Sequence, residues 1–310
     1  MRVELGDEDK VSRARLLLET GERAGNSIAM NRPGLFAGGR ILAIGLALAV
    51  LFPVSSSLFG FGHSSEHQQV QLSGSTFSYD KVLAYDNDAI QADPSNVENY
   101  FNRGMLHMMK GNHDKSSAEY DLAIADFSQG IQLDPKNAKA YIYRATVHGT
   151  KAENEKSDAE YKFAIADFTS ALNLDAQSAE AYYGRGSTYA AIAQYDKALA
   201  DYAQAIQYGP DQTMAYNNFA WLLATCPQAK LRDGKKAVEY ATKSCQLSEW
   251  KEGASLDTLA AAYAEAGDFD NAVKWENASM QIPNQTPSVI ADDQSRLALY
   301  QAHKAYHEPK

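Results

Sequence analysis

The sequence predicts an all-α fold: a right-handed superhelical solenoid of antiparallel helix pairs, preceded by one N-terminal hydrophobic helix. Three observations predict it. Small residues recur at Gly104, Ala145, Gly186, Ala220 and Ala260, spaced 41, 41, 34 and 40 apart. Each is followed, after 19, 19, 12, 17 and 12 residues, by a second small residue at Ala123, Ala164, Ala198, Ala237 and Ala272. Such a period marks stacked supersecondary units, none of which can bury its apolar face alone. Composition fits a folded array: the chain has 310 residues, of which 45% are hydrophobic and 22% charged. A mean hydropathy of -0.42 excludes a multi-span membrane protein. Cys226 and Cys245 are the two cysteines, too few for a disulfide framework or a zinc set.

The elements follow in order. Residues 1–40 form a leader with seven basic and six acidic groups. Residues 41–62, ILAIGLALAVLFPVSSSLFGFG, carry no charge. As a helix they would extend about 33 Å, against a hydrocarbon core of about 30 Å. Arg32 and Arg40 precede this segment and no Lys or Arg follows until Lys81, so the positive-inside rule places the N-terminus in the cytoplasm and the body outside. Two export readings stand, an uncleaved anchor and a cleaved signal, and a start at Met30 would give a leader of ordinary length. Residues 63–78 read as a polar linker, in which His63 and His67 lack the further ligands that a metal site needs. The residues beyond 62 carry 22 basic against 33 acidic groups. That excess repels phosphate backbones and disfavours nucleic acid as a partner.

The array is expected over 79–283, as a half repeat at 79–96 and repeats at 97–137, 138–178, 179–212, 213–252 and 253–283. A capping helix and tail occupy 284–310, with Ile290, Leu297 and Tyr300 expected to face the last pair. Solenoids need such end caps. The third unit carries Tyr182, Gly186, Tyr189, Tyr195, Ala198, Tyr202, Ala205 and Pro210. Its small residues let two helices approach closely, and its proline stops the second helix. On these residues the unit resembles the tetratricopeptide repeat, a pair of helices, A and B, in 34 residues. The run from AWLLATCP to DTLAAAYAEAGDFDNAVKW is similar to one found in bacterial tetratricopeptide proteins. Asp175 is followed by Ala176 where the family has proline, and Pro283 is shifted.

The first two repeats carry seven extra residues between their small positions. These are expected to lengthen helix B at its start, where Ser116 with Glu119, and Ser157 with Glu160, have capping-box spacing. The loop from Cys226 to Gly234 is expected to be irregular. Arg103, Arg144 and Arg185 occur only in repeats whose helix B supplies Asp126, Asp167 or Asp201, which predicts an ion pair within each repeat. Phe219 with Tyr240, and Leu259 with Trp275, replace the pair in the last two.

No phosphate loop, metalloprotease helix or nucleophile elbow is present, and His107 and His148 read as packing residues in a slot that usually holds tyrosine. The sequence therefore predicts no enzyme, cofactor or metal. The family resemblance implies binding of a protein or peptide in a concave groove lined by helices A. Mapped on this chain, that groove holds Phe101, Met105, Met108, Ile142, Tyr183, Asn217, Asn218 and Trp221, with core packing as the alternative for the methionines. The expected role is a scaffold of the bacterial envelope, tethered by one helix to the inner membrane or released outside it. The rival role is an accessory subunit of a separate envelope enzyme or assembly machine.

Overall fold

The computed structural model describes residues 70–72, 75–77 and 79–309. The leader and the apolar segment 41–62 lie outside the described residues. Within the stretch expected as linker, β1 (Val70–Leu72) and β2 (Ser75–Phe77) form an antiparallel pair in which Val70 faces Phe77. Twelve helices follow among the described residues, and none is long and apolar enough to cross a membrane. They are α1 (Tyr79–Ala92), α2 (Val97–Asp114), α3 (Ser117–Leu133), α4 (Ala138–Glu155), α5 (Asp158–Leu174) and α6 (Ala179–Ala191). Then come α7 (Tyr195–Tyr208), α8 (Thr213–Thr225), α9 (Gly234–Leu247), α10 (Gly253–Glu265), α11 (Phe269–Met280) and α12 (Pro287–Gln301). The chain forms two compact units that divide within α4, between Val147 and His148.

In the first unit, α2 packs on α3 around Gly104 and Ala123. A side-chain carbon on Gly104 would stand 3.1 Å from the Phe127 ring, so the small residue sets how closely the helices approach. Met105, Met108, Tyr120, Ala123, Phe127, Tyr143 and Val147 make the buried cluster. Phe101 meets Phe127 and Tyr143 edge-on, with ring centroids 5.7 and 5.0 Å apart.

In the second unit one cluster gathers Tyr183, Ala198, Tyr202, Ala205, Ala215, Leu222 and Cys226. A second gathers Trp221, Ala237, Cys245, Leu256, Leu259, Ala260, Ala272 and Tyr300. Gly234, the first residue of α9, lies against the backbone where α10 ends. A side-chain carbon there would fall 2.5 Å from the Ala266 nitrogen, so the expected irregular loop ends on a residue that only glycine satisfies. That loop also contains one 3-10 turn, Ala229–Leu231.

The long repeats differ from the expectation for their insertions. Both helices lengthen: α2 and α4 have 18 residues against 13 in α6, while α3 and α5 have 17 against 14 in α7. The connection itself is unchanged, since Lys115, Lys156 and Ala193 all take left-handed φ of 51°, 54° and 58° at the end of helix A. Adding about a turn to A and most of a turn to B keeps both buried faces in register.

The capping boxes form by half. The Ser116 hydroxyl accepts from the Glu119 amide at 3.4 Å, and Ser157 from Glu160 likewise. The glutamates do not return to the serine amides; they reach helix A instead. Glu119 contacts His107 Nδ1 and Lys110 Nζ at 2.6 Å each, and Glu160 contacts His148 Nδ1 at 2.5 Å and Lys151 Nζ at 3.4 Å. Burial opposes ionisation of Glu119, but the Lys110 and His107 hydrogen bonds outweigh it and hold the carboxyl below its ordinary range. His107 and His148 thus tie helix A to the start of helix B.

The expected ion pairs are present in the first and third repeats. Arg103 grips Asp126 with Nε at 2.9 Å and Nη2 at 2.5 Å, and Arg185 grips Asp201 at 2.7 and 2.9 Å. The expectation that these arginines act only within a repeat is corrected by their third nitrogen. Nη1 of Arg103, Arg144 and Arg185 donates to Asn87, Ser128 and Thr169, each on the preceding helix B. In Arg103 and Arg185 the planar fork holds the aspartate through two N–H groups and leaves a third nitrogen for the neighbouring helix, a geometry that a lysine ammonium does not reproduce. In the fourth repeat, Phe219 and Tyr240 meet edge-on at 4.7 Å in place of the pair.

Candidate functional site

The residues read as lining a groove are withdrawn from solvent. Met105, Met108, Ile142, Tyr183, Asn217, Asn218 and Trp221 are all buried and Phe101 is half-buried. Met105 and Met108 lie in the core between α2 and α3, as the packing alternative has it. Tyr183 accepts a hydrogen bond from Asn218 at 3.3 Å, which joins α6 to α8. These residues therefore serve packing in the chain as it stands.

What covers Trp221 is the C-terminal tail. Helix α12 ends at Gln301, His303 turns the chain with a φ of 55°, and residues 304–309 take no regular structure. The Glu308 amide donates to the Thr225 carbonyl at 2.8 Å, satisfying one of the free carbonyls at the end of α8. The Tyr306 ring lies 6.1 Å from that of Trp221, and the Arg296 guanidinium stands 5.7 and 5.8 Å from the two rings. His307 Nε2 meets Glu265 Oε2 at 2.7 Å, and the other Glu265 oxygen accepts from Arg232 at 2.9 Å. Trp221 is left 2% exposed.

Beneath the tail lies a buried charge cluster. Arg296 on α12 donates from Nε to Asp257 of α10 at 2.8 Å and from Nη2 to Asp293 at 2.6 Å, and its Nε stands 3.4 Å from Glu276 of α11. Ser279 donates to Asp293 at 2.9 Å. One guanidinium cannot balance three buried carboxylates, so protons make up the difference. Burial and the Asp257 charge push Glu276 well above its ordinary range and bring Asp293 up to about 7. The carboxylate oxygens of Asp257, Glu276 and Asp293 lie within 4.8 Å of one another, a spacing that also suits a cation. Here the guanidinium supplies the positive charge.

Sequence reasoning missed this cluster. The buried positions of α12 are Asp293, Arg296 and Tyr300, whereas Ile290 and Leu297 are only half-buried. The spacing of Asp293, Arg296 and Tyr300 on one helical stripe was a signal, as was Asp257 inside the apolar run SLDTLAAAY.

Comparisons with known proteins agree with this architecture. Residues 179–212 match the tetratricopeptide repeat. No curated protein matches the chain in sequence. Among solved structures the chain is similar to the Cut9–Hcn1 assembly of the anaphase-promoting complex, at 16% identity and TM-score 0.54, covering 73% of this chain and 40% of that one. It is similar to yeast Tom70 at 20% identity and TM-score 0.52, over 72% of this chain and 43% of that one. Pseudomonas aeruginosa PilF matches at 19% identity and TM-score 0.50, over 68% and 90%. The chain thus spans less than half the length of the first two. At these identities the likeness is one of fold. Residues 179–212 are a tetratricopeptide repeat, and the helix pairs on either side of them repeat its architecture.

Proposed function

We propose that this chain is a non-enzymatic protein-binding scaffold that receives an extended peptide or helix on the face lined by its A helices. The observation that carries the reading is the tail: a non-helical segment of the chain already lies against α8 and α10, held by a backbone hydrogen bond and an aromatic contact. Stacked helical repeats offer such surfaces to extended ligands. Phe101, Tyr183 and Trp221 are proposed as partner contacts, reached when the covering side chains yield. The charge asymmetry around residues 41–62 supports an inner-membrane tether with the array outside the cytoplasm, or an exported form after cleavage.

A photo-crosslinking residue placed at Phe101 or Tyr183 of the full chain, activated in cells, tests the reading. Recovery of a defined protein from both positions is expected, and its absence from both would overturn the proposal. A captured envelope synthase or secretion component would favour the accessory-subunit role. A reporter fused after Lys310 that works only outside the cytoplasm is expected to be active, and activity of a cytoplasm-only reporter there would refute the topology.

A further inference from the structure

We infer that Tyr306–Glu308 is a displaceable internal ligand, occupying a docking site for a protein segment that presents an aromatic side chain followed two residues later by a carboxyl side chain. The inference rests on the binding function proposed above and specifies the ligand at one end of the array.

Three features of the tail support it. The first is its conformation. Tyr306 and Glu308 turn inward and are half-buried, while His307 and Pro309 are exposed. This alternation is that of an extended peptide laid on a surface, with every second side chain seated. The second is the chemistry of the seats. Trp221 and Arg296 form an aromatic and cationic slot for the Tyr306 ring. Burial brings Glu308 up to about 7 even though Trp221 and Arg296 favour its charged form. The Thr225 carbonyl takes a main-chain amide from Glu308, so the backbone contact does not depend on the identity of the side chain. The third is the weakness of the tether. The His303 and Lys304 amides bond back to the end of α12; beyond them, up to Pro309, Glu308 supplies the one backbone hydrogen bond to the array, and the other contacts described are side-chain contacts.

A covalently attached tail competes at millimolar effective concentration. The intact protein must therefore resist an external peptide that a tail-released variant accepts. The probe is a fluorescein-labelled peptide with the sequence of residues 303–310, HKAYHEPK, titrated by fluorescence anisotropy into the full wild-type chain and into the full chain carrying Tyr306→Ala and Glu308→Ala. The peptide is expected to bind the variant at least about tenfold more tightly than the wild type. A peptide with alanine in place of the tyrosine is expected not to bind. Equal binding to both proteins would overturn the inference, as would no binding to a variant with unchanged helical circular dichroism. Exchange of tails into concentration-dependent dimers without peptide binding would overturn it too. Hydrogen exchange in the wild type gives an independent reading. The Glu308 amide is expected to exchange at least about 100-fold faster than amides in the middle of α8, since local opening is cheaper than unfolding. Equal protection, or a variant that no longer folds, would make the tail an integral cap and sink the inference. Phe101 and Tyr183 make none of the tail contacts described above, so failure here leaves the scaffold reading to its own test.

Discussion

Arg185 and Thr169, sixteen residues apart on adjacent repeats, are joined by a hydrogen bond of 3.2 Å from Nη1 to the threonine hydroxyl. The other edge of the same guanidinium holds Asp201. One side chain therefore couples the two helices of its repeat to each other and to the repeat before. The side chains of Arg185 and Asp201 are 18% and 8% exposed, so solvent screens the pair only in part. A double-mutant cycle on Arg185→Met and Asp201→Asn is expected to return a coupling of about 1.5 to 3 kcal/mol. The Thr169→Val variant should cost about 0.5 to 1.5 kcal/mol. Coupling near zero between Arg185 and Asp201 in urea melts would contradict the pairing.

The left-handed turn after helix A offers a stabilising substitution. Ala193 closes α6 with a φ of 58°, and Gly267 holds the corresponding turn after α10 with a φ of 84°. An L-residue pays about 1 to 2 kcal/mol in this region, partly offset by the greater freedom of glycine when unfolded. Ala193→Gly is therefore expected to stabilise the array by about 0.5 to 1 kcal/mol, read as a higher urea midpoint at unchanged slope.

Much of this architecture was legible because its determinants are local. The small residues, the serine caps and the boundaries of the pairs all lie within one or two helices, and Ser116 and Ser157 cap where their spacing placed them. The ends were harder. Asp257 and Arg296 are 39 residues apart, and His307 and Glu265 are 42 apart. No periodicity announces such partners, so the sequence points to Ile290 and Leu297, not Asp293 and Arg296, as the residues facing the last pair. The burial of Trp221 was hard to read for a related reason. Exposure at Trp221 depends on Tyr306, 85 residues later, and a helical register says which way a side chain points without saying what covers it.

The buried carboxylates set the pH response of the last repeats. Burial, and then the neighbouring charge of Asp257, raise Glu276, which faces Arg296 and Asp293 of α12 and lies near Tyr300. A carboxyl with a raised folded-state pKa binds protons more tightly when folded, so stability is greatest at low pH and falls as pH rises through the raised range. Asp293, at about 7, adds to the same loss between about pH 4 and 7. Glu276→Gln keeps the shape and removes the charge. At pH 8 it is expected to raise the melting temperature by about 2 to 6 °C, with the two proteins converging near pH 4.5. A variant less stable than wild type at pH 8 would show that Glu276 is needed as an anion.

Cys226 and Cys245 sit in different clusters, both buried. Burial pushes both thiols up, Cys245 to about 12, and the Cys245 sulfur donates to the Ser255 carbonyl at 3.3 Å. Thiolate is the reactive form, so native protein is expected to react with a thiol-specific disulfide reagent at least about 100-fold more slowly than protein in urea. Intact mass should show both thiols present, and a mapped crosslink between them would contradict the separation of the clusters.

The tail itself should respond to pH through Glu308. Its carboxyl faces Trp221 of α8, Asp257 of α10, Arg296 of α12 and its own neighbour Tyr306. Burial disfavours the anion more strongly than Arg296 and Trp221 favour it, so the group rises from an ordinary 4.5 to about 7 when the tail is docked. The docked state thus binds the proton more tightly than the free tail. Docking is strongest below about pH 4.5 and weakens as the pH rises through about 7, where the docked carboxyl must ionise against its burial. The expected loss of docking from pH 5 to pH 8 is at least about tenfold. Glu308→Gln removes the titration while keeping the side chain in its seat. Exchange of the residue-308 amide, corrected for the intrinsic effect of pH, should then accelerate with pH in the wild type and stay level in the variant. Identical corrected profiles would place the origin of any pH response elsewhere, in Asp293 and Glu276 beneath the tail.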